Sequence, residues 1–253
     1  MNLIQIAKNA AEEAQLISLD YRNNSKVLSS DYKDIKTEAD LEMNKCIIQH
    51  LKSTNIPIIS EETEIIGDLN AFRYWVIDPL DGTFNFSRRF PFSGVSISLL
   101  ENMIPVLGVV KDIFTNSTYT CDFNNGSYKD GLMIKVSEVS EIKEAILATG
   151  FPSGANYQTK DINVFVRNVQ LFKKVRAVGS AALMLSYVSA GIFDVYYEND
   201  IYLWDVAAGL ALVEGAGGRI YYRQNSGMKY EVLASNKNIF DQVKSLLIVD
   251  RKN

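Results

Sequence analysis

Histidine and cysteine are almost absent from this sequence, which has one histidine, His50, and two cysteines, Cys46 and Cys121, among 253 residues. A structural zinc cage needs four Cys or His ligands in close pairs, and a zinc-protease helix needs two histidines, so both are excluded. Two cysteines without a recognisable spacing predict free thiols in a reducing compartment. His50 is expected on the surface of a helix. We therefore expect chemistry based on carboxylates, hydroxyls and backbone groups.

An excess of basic residues is also missing. The chain has 26 Lys and Arg against 30 Asp and Glu, which gives a formal net charge of −4. Nucleic-acid and anionic-membrane binders owe their affinity mainly to basic residues, so neither partner is expected. No apolar run approaches the roughly 18 residues that a membrane span needs. The first residues show an amphipathic helical pattern rather than a signal peptide, so we expect a cytoplasmic protein.

Hydrophobic periodicity predicts the order of helices and strands. Apolar residues at helical spacing predict a first helix over residues 3–17, and Thr37 followed by Asp40 is typical of the start of a second. Further helices are predicted at Val164–Phe172, Ala181–Ala190, Asp205–Val213 and Phe240–Leu247. Strands are predicted at Ile56–Ile59, Tyr74–Ile77, Val95–Leu100, Val106–Val110, Ser117–Asp122, Leu132–Val136, Phe193–Tyr197 and Val232–Ala234.

The two halves of the chain differ in this pattern. Residues 1–149 are predicted to form a hairpin-rich α+β half that carries most of the candidate ligands. Residues 150–253 are predicted to form an alternating α/β half. No Pro/Gly/Ser-rich spacer separates them, so we expect one molecule with its active site between the halves.

Carboxylates follow apolar segments at three places. Glu61 follows the first such segment, Asp78 and Asp81 follow the second, and Asp205 stands at the start of a predicted helix. The strand before Asp78 is expected to end there, because proline comes next. The Leu80 carbonyl lies between Asp78 and Asp81 and is free to act as a ligand. Mg²⁺ prefers oxygen ligands of this kind, so the pattern favours a magnesium site.

A phosphate site is indicated beside these carboxylates. Gly82 allows close backbone approach, and a helix that begins at Thr83 would point N–H groups at an anion. Taken singly, each feature has a plainer interpretation. Residues 78–82 are also a good turn sequence, Asp40 also suits a helix cap, and Asp205 also suits an N-cap.

Longer motifs contain these residues. Trp75–Phe86 closely resembles the first signature of the inositol monophosphatase family, and Trp204–Gly209 resembles its second. Ile58–Thr63 is similar to the paired-glutamate segment of that family, and Lys36–Asp40 to its upstream Thr-x-x-Asp segment. Residues 150–152 and 179–183 also match. The motifs occur in the order of the family and extend from about residue 34 to 218.

The resemblance implies a fold and a metal site. The fold would be an α/β protein of the α+β type, the layered αβαβα sandwich of the inositol monophosphatase and fructose-1,6-bisphosphatase kind. Two to three Mg²⁺ ions would be bound. Glu61, Asp78 and the Leu80 carbonyl would hold the first, and Asp78, Asp81 and Asp205 the second. A third, weaker ion would lie near Glu61, largely through water.

The resemblance also implies catalytic roles. Backbone N–H groups of Gly82 and Thr83 would bind the phosphate. Thr83 and Asp40 would orient the metal-activated water that attacks phosphorus in line, and Glu61 would contribute to that step. No covalent intermediate is needed, which agrees with the scarcity of His and Cys.

Recognition of the substrate alcohol is implied at a separate set of residues. Glu198, Asp81, Asp205 and the backbone at Ala181 would contact the hydroxyl groups. Many family members carry glycine two residues after the glutamate, whereas this chain has Asp200. The aromatic residues Phe84, Phe86, Phe90 and Phe92 are expected to serve packing.

The predicted function is hydrolysis of a small polyol or sugar monophosphate, with inositol 1-phosphate as the leading substrate. Fructose 1,6-bisphosphate, 3′-phosphoadenosine 5′-phosphate and histidinol phosphate are alternative substrates of the same kind of site. A catalytically silent binding or regulatory homologue is the alternative outside enzymes. Homodimerisation and sensitivity to lithium are expected from the resemblance alone.

Overall fold

The computed structural model describes residues 2–23, 26–31, 34–63, 65–68, 71–122, 125–151 and 159–248. The helices in these segments are α1 (Leu3–Tyr21), α2 (Glu38–Lys52), α3 (Thr83–Ser87), α4 (Thr159–Leu171), α5 (Ala181–Ser189), α6 (Leu203–Gly215) and α7 (Phe240–Leu247). The strands are β1 (Val27–Asp31), β2 (Asp34–Thr37), β3 (Ile58–Ser60), β4 (Arg73–Asp81), β5 (Gly94–Glu101), β6 (Ile104–Asp112), β7 (Thr118–Asp122), β8 (Gly126–Lys129), β9 (Leu132–Met133), β10 (Ile146–Ala148), β11 (Lys174–Arg176), β12 (Val195–Tyr202), β13 (Arg219–Ser226) and β14 (Lys229–Ser235).

A seven-stranded sheet of order β3-β4-β5-β6-β7-β8-β9 occupies the first half of the chain. β3 and β4 are parallel, and the other neighbours are antiparallel. Side chains alternate along β4, so Tyr74 and Val76 pack on one face while Trp75 and Ile77 pack on the other. Because both faces are covered, β4 is apolar almost throughout rather than alternating with polar residues.

Helices α1 and α2 form the outer layer on one face of this sheet. The buried side of α1 consists largely of Ala7, Ala10, Ala11 and Ala14, whose small side chains let the helix pack closely against α2 and β6. Both helices lie where the periodicity predicts them. No described helix, α1 included, is long and apolar enough to cross a lipid bilayer.

Helices α5 and α6 form the middle layer, between the large sheet and a second sheet of order β11-β10-β12-β14-β13. Their apolar residues share one core with Val76 of the large sheet and Val232 of the small one. On the outer face of the small sheet, Phe172 and Phe240 pack against Leu233. The order of layers is αβαβα, which confirms the predicted fold.

Several strands differ from the sequence predictions. β8 and β13 were not predicted, because they carry many polar residues. β13 is an edge strand paired only with β14, so half-exposed polar side chains are tolerated there. The strand predicted at Leu132–Val136 shortens to Leu132–Met133, which pairs with the end of β8.

The boundary between the halves at residue 149/150 stays a prediction. β10 ends at Ala148 but pairs with β11 and β12 of the small sheet. The chain therefore changes from the large sheet to the small one before residue 146, upstream of that boundary.

Candidate active site

A cavity of about 300 Å³ opens where the end of β4 meets the first turns of α3, α5 and α6 and the side of β12. The predicted site residues that line it are Glu61, Asp78, Leu80, Asp81, Gly82, Thr83, Ala181, Glu198 and Asp205. Asp40 does not line the cavity but contacts it through Thr83. The structure thus brings together residues that are up to 144 positions apart in the sequence (205 − 61).

An irregular stretch at the end of β4 presents Asp78 and Asp81. The prediction that the strand ends at Asp78-Pro79 is wrong, since β4 continues to Asp81. The register shifts between the Asp78–Ser96 and Asp81–Gly94 pairs, and Pro79 lies in this gap, where no ladder hydrogen bond is needed. The Leu80 N–H donates to Asp78 Oδ1 at 2.8 Å, which fixes the turn between the two aspartates.

Gly82 connects β4 to α3 in a conformation that favours glycine. Its φ is +89°, and a Cβ atom would lie 3.0 Å from the carbonyl oxygens of Phe92 and Gly179. The backbone at Gly82 therefore packs closely against these two carbonyl groups before α3 begins at Thr83, as predicted. Because the first N–H groups of a helix have no partner within it, that of Thr83 is available to an anion, whereas the Phe86 N–H already donates to the Gly82 carbonyl.

Three carboxylates form the most compact acidic cluster in the cavity. Oxygen atoms of Glu61, Asp78 and Asp205 all lie within 4.8 Å of one another. Asp78 is buried, Glu61 follows β3 at the mouth of the cavity, and Asp205 lies in the first turn of α6. Asp205 is not the N-cap, a position occupied by Tyr202, so the capping interpretation of Asp205 is wrong.

The protonation of these carboxyl groups is shifted by their surroundings. Burial of the Asp78 carboxyl group holds its pKa well above the ordinary value, and the nearby charges of Glu61 and Asp81 raise it further. The pKa of Asp205 is raised for the same reasons. Glu61 is partly reached by solvent, but desolvation of its carboxyl group and the neighbouring acids raise its pKa to about 8.

The donor set fits a hard divalent cation. None of the ion pairs among the described residues includes Asp78, Asp81 or Asp205, so their negative charges face one another without a basic partner. Buried carboxylates are normally paired with a cation or coordinate a metal ion. Oxygen-only ligands at this spacing are typical of sites for Mg²⁺ rather than for thiophilic metals.

Asp81 is anchored to α5. The Ser180 hydroxyl donates to Asp81 Oδ2 at 2.6 Å, and the Ala182 N–H donates to the same oxygen at 2.7 Å. Burial raises the pKa of Asp81 to about 6, while the bond from Ser180 opposes that rise. One Asp81 oxygen is therefore committed to the protein. The sequence marks Ser180 only as part of the motif at residues 179–183. Its position just before a predicted helix is typical of an N-cap, which is where the structure places it.

Asp40 joins two hydrogen-bond systems. Its Oδ2 accepts from the Thr37 N–H at 2.7 Å and the Thr37 hydroxyl at 2.6 Å, while its Oδ1 accepts from the Thr83 hydroxyl at 2.8 Å. Asp40 thus belongs to the capping box of α2 through one oxygen and contacts Thr83 through the other, while its part in orienting a water stays a prediction. Burial raises the pKa of this carboxyl to about 6.

Glu198 is buried on β12 beside Gly150. The Tyr196 hydroxyl donates to Glu198 Oε1 at 3.0 Å, and a Cβ atom at Gly150 would lie 2.6 Å from the same oxygen. Burial raises the pKa of Glu198 to about 7. Asp200 does not line the cavity; it has a φ of +86° at a bulge and pairs with Lys229 at 3.1 Å.

The rim of the cavity contains residues that sequence reasoning missed. Ile35 from β2 and Tyr202 line it, beside Phe151 from the motif at residues 150–152, and Tyr202 stacks on Trp204 with ring centroids 4.6 Å apart. The prediction that the phenylalanines serve packing is confirmed for Phe86 and Phe92, which are buried, and is wrong for Phe84 and Phe90, which are 60% and 47% exposed. No local sequence signal marks Ile35 or Tyr202.

Comparisons with known proteins place this geometry in context. The family model "Inositol monophosphatase family" matches residues 1–248. The chain is 33% identical to the Nus factor SuhB of Xylella fastidiosa, over 87% of this chain and 80% of that protein. It is 34% identical to an inositol-1-monophosphatase of Synechocystis, over 85% and 77% of the two chains.

Two further proteins extend the comparison. A fructose-1,6-bisphosphatase/inositol-1-monophosphatase of Thermotoga maritima is 32% identical over 84% of this chain and 82% of its own. The solved inositol monophosphatase of Anabaena superposes with a TM-score of 0.87 at 30% identity, covering 97% of this chain and 95% of that one. Family model, relatives and fold agree, and this chain belongs to the inositol monophosphatase family of phosphoric monoester hydrolases.

Proposed function

We propose that this protein hydrolyses small polyol or sugar monophosphates with the help of Mg²⁺, and that inositol 1-phosphate is its preferred substrate. The observation that carries the proposal is the convergence of Glu61, Asp78 and Asp205 in one cavity with the buried Glu198. The three carboxylates suit a cation, which would in turn bind the phosphate, and the Glu198 carboxylate can accept a hydrogen bond from a substrate hydroxyl group.

Five groups are assigned to the cations. Glu61, Asp78 and the Leu80 carbonyl would hold one ion, and Asp78, Asp81 and Asp205 a second, with a third, weaker ion near Glu61. Divalent cations in such a site neutralise phosphate charge and lower the pKa of nearby water. The Leu80 carbonyl oxygen lies 2.9 Å from the Thr83 hydroxyl oxygen, whose single proton can go to Leu80 or to Asp40, so the carbonyl keeps at least one lone pair for a ligand bond.

The Thr83 hydroxyl is assigned to hold the attacking water. When its proton points to Asp40 Oδ1, its oxygen lone pairs can accept a hydrogen bond from water in the cavity. As Thr83 Oγ1 takes the water proton, Asp40 Oδ1 can take the threonine proton, so the pair acts as a relay. Glu61, at the cavity mouth, is assigned a part in holding the same water.

The phosphate and the alcohol are assigned to different walls of the cavity. The N–H groups of Gly82 and Thr83 would donate to phosphate oxygens. Glu198, Asp81 and Asp205 would accept from alcohol hydroxyls, with the first residue of α5, Ala181, lying beside them. Since the Tyr196 hydroxyl already bonds one oxygen of Glu198, the other is left for the substrate.

Fructose 1,6-bisphosphate is the main alternative substrate, because the Thermotoga relative is named for both activities. Activity on 3′-phosphoadenosine 5′-phosphate or histidinol phosphate would use the same site. A phosphate-release panel with these four esters and Mg²⁺ tests the assignment. We expect the highest kcat/KM with inositol 1-phosphate. If another ester of the panel gave a higher kcat/KM, that ester would be the preferred substrate instead.

A catalytically silent role is the alternative outside enzymes, and one relative is named a Nus factor. The residues assigned to cations and water are all present, which favours an enzyme: Asp40, Glu61, Asp78, Asp81, Thr83 and Asp205. Absence of turnover on every ester of the panel would favour the silent homologue instead.

We also propose a homodimer in the cytoplasm. The described face of α4 exposes Ile162, Val166 and Val169, which are spaced as one apolar stripe. Both cysteines are free, as expected in a reducing compartment. Light scattering of the purified protein tests the dimer: a monomer mass at all concentrations would contradict it.

A further inference from the structure

We propose that Glu13, Cys46 and His50 form a second cation site, which takes a thiophilic divalent cation such as Zn²⁺ and fastens α1 to α2. One ligand atom from each residue lies within 4.8 Å of the other two. Carboxylate oxygen, thiolate sulfur and imidazole nitrogen are the three ligand types that Zn²⁺ favours in proteins. The site is separate from the acidic cavity described above.

The helices place the three residues by their spacing. Cys46 and His50 are four positions apart on α2 and therefore lie on the same side of the helix. Glu13 projects from α1, which packs along α2. Asp40 lies six residues before Cys46 and ten before His50 on α2, so roughly 9 Å and 15 Å of helix separate these two ligands from Asp40.

The three side chains already lie near the distances that the ligands of one zinc ion require. His50 Nε2 lies 2.7 Å from Glu13 Oε2, and the Cys46 sulfur lies within 4.8 Å of a carboxylate oxygen of Glu13 and of a ring nitrogen of His50. A tetrahedral zinc ion needs roughly 3.3 Å between a nitrogen and an oxygen ligand, a value that follows from bonds of about 2.0 Å. The pair must therefore open by only about 0.6 Å, and exposed Glu13 is free to make that movement.

Burial of the thiol argues against a nucleophilic role for Cys46. The residue is only 8% exposed, whereas a reactive thiol must be reached by its substrate. Burial raises the pKa of the Cys46 thiol to about 11, which keeps it protonated near neutrality. Cation binding replaces the S–H bond with a sulfur–metal bond and releases one proton to the buffer, so affinity should rise with pH.

The test uses Co²⁺ as a spectroscopic probe, with excess Mg²⁺ present to occupy the carboxylate cavity. Thiolate bound to Co²⁺ gives a charge-transfer band in the near ultraviolet that carboxylate ligands do not give. We expect this band at one ion per chain in the wild type, and its absence in Cys46→Ser. Zn²⁺ should displace the Co²⁺ and raise the melting temperature of the wild type.

Matched variants locate the site. Cys121→Ser and Glu12→Gln should keep the band, while His50→Gln and Glu13→Gln should each weaken Co²⁺ binding at least about tenfold. His50 and Glu13 are accessible, so these two variants test the site even if Cys46→Ser folds poorly. No band in the wild type, or a band that survives in Cys46→Ser, would overturn the proposal.

Discussion

The Thr83 hydroxyl donates to Asp40 Oδ1 at 2.8 Å and thereby links the first turn of α3 to the first turn of α2. The two residues are 43 positions apart (83 − 40). The other oxygen of Asp40 is held by Thr37, so the carboxyl group cannot rotate away from Thr83 without losing two hydrogen bonds. Helix capping thus orients a side chain of the proposed relay.

Removing the Thr83 hydroxyl should reduce kcat with inositol 1-phosphate by about 10²-fold or more, because the relay to Asp40 is lost. Thr83→Ser keeps the hydroxyl and should stay within a few-fold of the wild type. Steady-state kinetics on Thr83→Ala, Thr83→Ser and the control Ser87→Ala distinguish these outcomes. If Thr83→Ala lost no more activity than Ser87→Ala, the relay would be excluded.

Replacing Asp78 by asparagine should abolish activity and leave the fold intact. Activity should be lost because Asp78 belongs to both assigned cation sites. The fold should persist because asparagine carries no charge and so relieves the repulsion with Glu61 and Asp205. We therefore expect a melting temperature in chelator that is equal to the wild-type value or higher. Asp20→Asn, an exposed change on α1, is the control. A kcat within a few-fold of the wild type would mean that the cations lie elsewhere.

Without divalent cations, the protein should lose stability as pH rises. The folded pKa values are raised to about 6 for Asp81, about 7 for Glu198 and about 8 for Glu61. The folded state therefore binds these protons more tightly than the unfolded state does. The free-energy cost of ionising the buried carboxyl groups is absent below about pH 4 and grows toward pH 8. For Asp81 alone it amounts to roughly 3 kcal/mol.

Thermal melts at pH 5 and pH 8, in chelator and in Mg²⁺, measure this effect. Mg²⁺ should restore stability at pH 8 and do little at pH 5, since it binds the ionised carboxylates. A melting temperature in chelator that stays level over this range would show that the carboxyl groups are not destabilised by burial.

Gly150 should determine how the substrate alcohol is bound. An alanine methyl group would lie 2.6 Å from Glu198 Oε1 and would displace that carboxyl group. We expect Gly150→Ala to raise KM for inositol 1-phosphate at least about tenfold, as Glu198→Gln should. Neither change should prevent Mg²⁺ binding measured by calorimetry. An unchanged KM in both variants would remove Glu198 from the alcohol site.

The left-handed backbone at Asp200 should tolerate glycine better than alanine. Its φ of +86° costs a residue with a Cβ about 1 kcal/mol or more, and the partly exposed pair with Lys229 offsets only part of this. Asp200→Gly should thus be neutral or stabilising in urea unfolding, and Asp200→Ala destabilising by about 1 kcal/mol. The reverse order of stability would contradict this assignment of strain.

The sequence predicted those parts of the fold that have a clear period or motif. The alanine-rich side of α1 and the start of α3 at Thr83 are examples, because local pattern and tertiary position agree there. β13 escaped prediction because an exposed edge strand needs little apolar alternation. The bond from Ser180 to Asp81 spans 99 residues, and only the packing of α5 against β5 and β6 brings the two together.

The dependence of phosphate release on divalent cations tests most directly whether the carboxylate cavity is a metal-dependent phosphatase site. The rate with inositol 1-phosphate is measured in Mg²⁺, after chelation, and after Mg²⁺ is returned, for the wild type and Asp78→Asn. The wild-type rate should fall to the uncatalysed background in chelator and recover fully, while Asp78→Asn should stay at background throughout. Equal turnover with and without chelator would contradict the assignment of Glu61, Asp78 and Asp205 to cations.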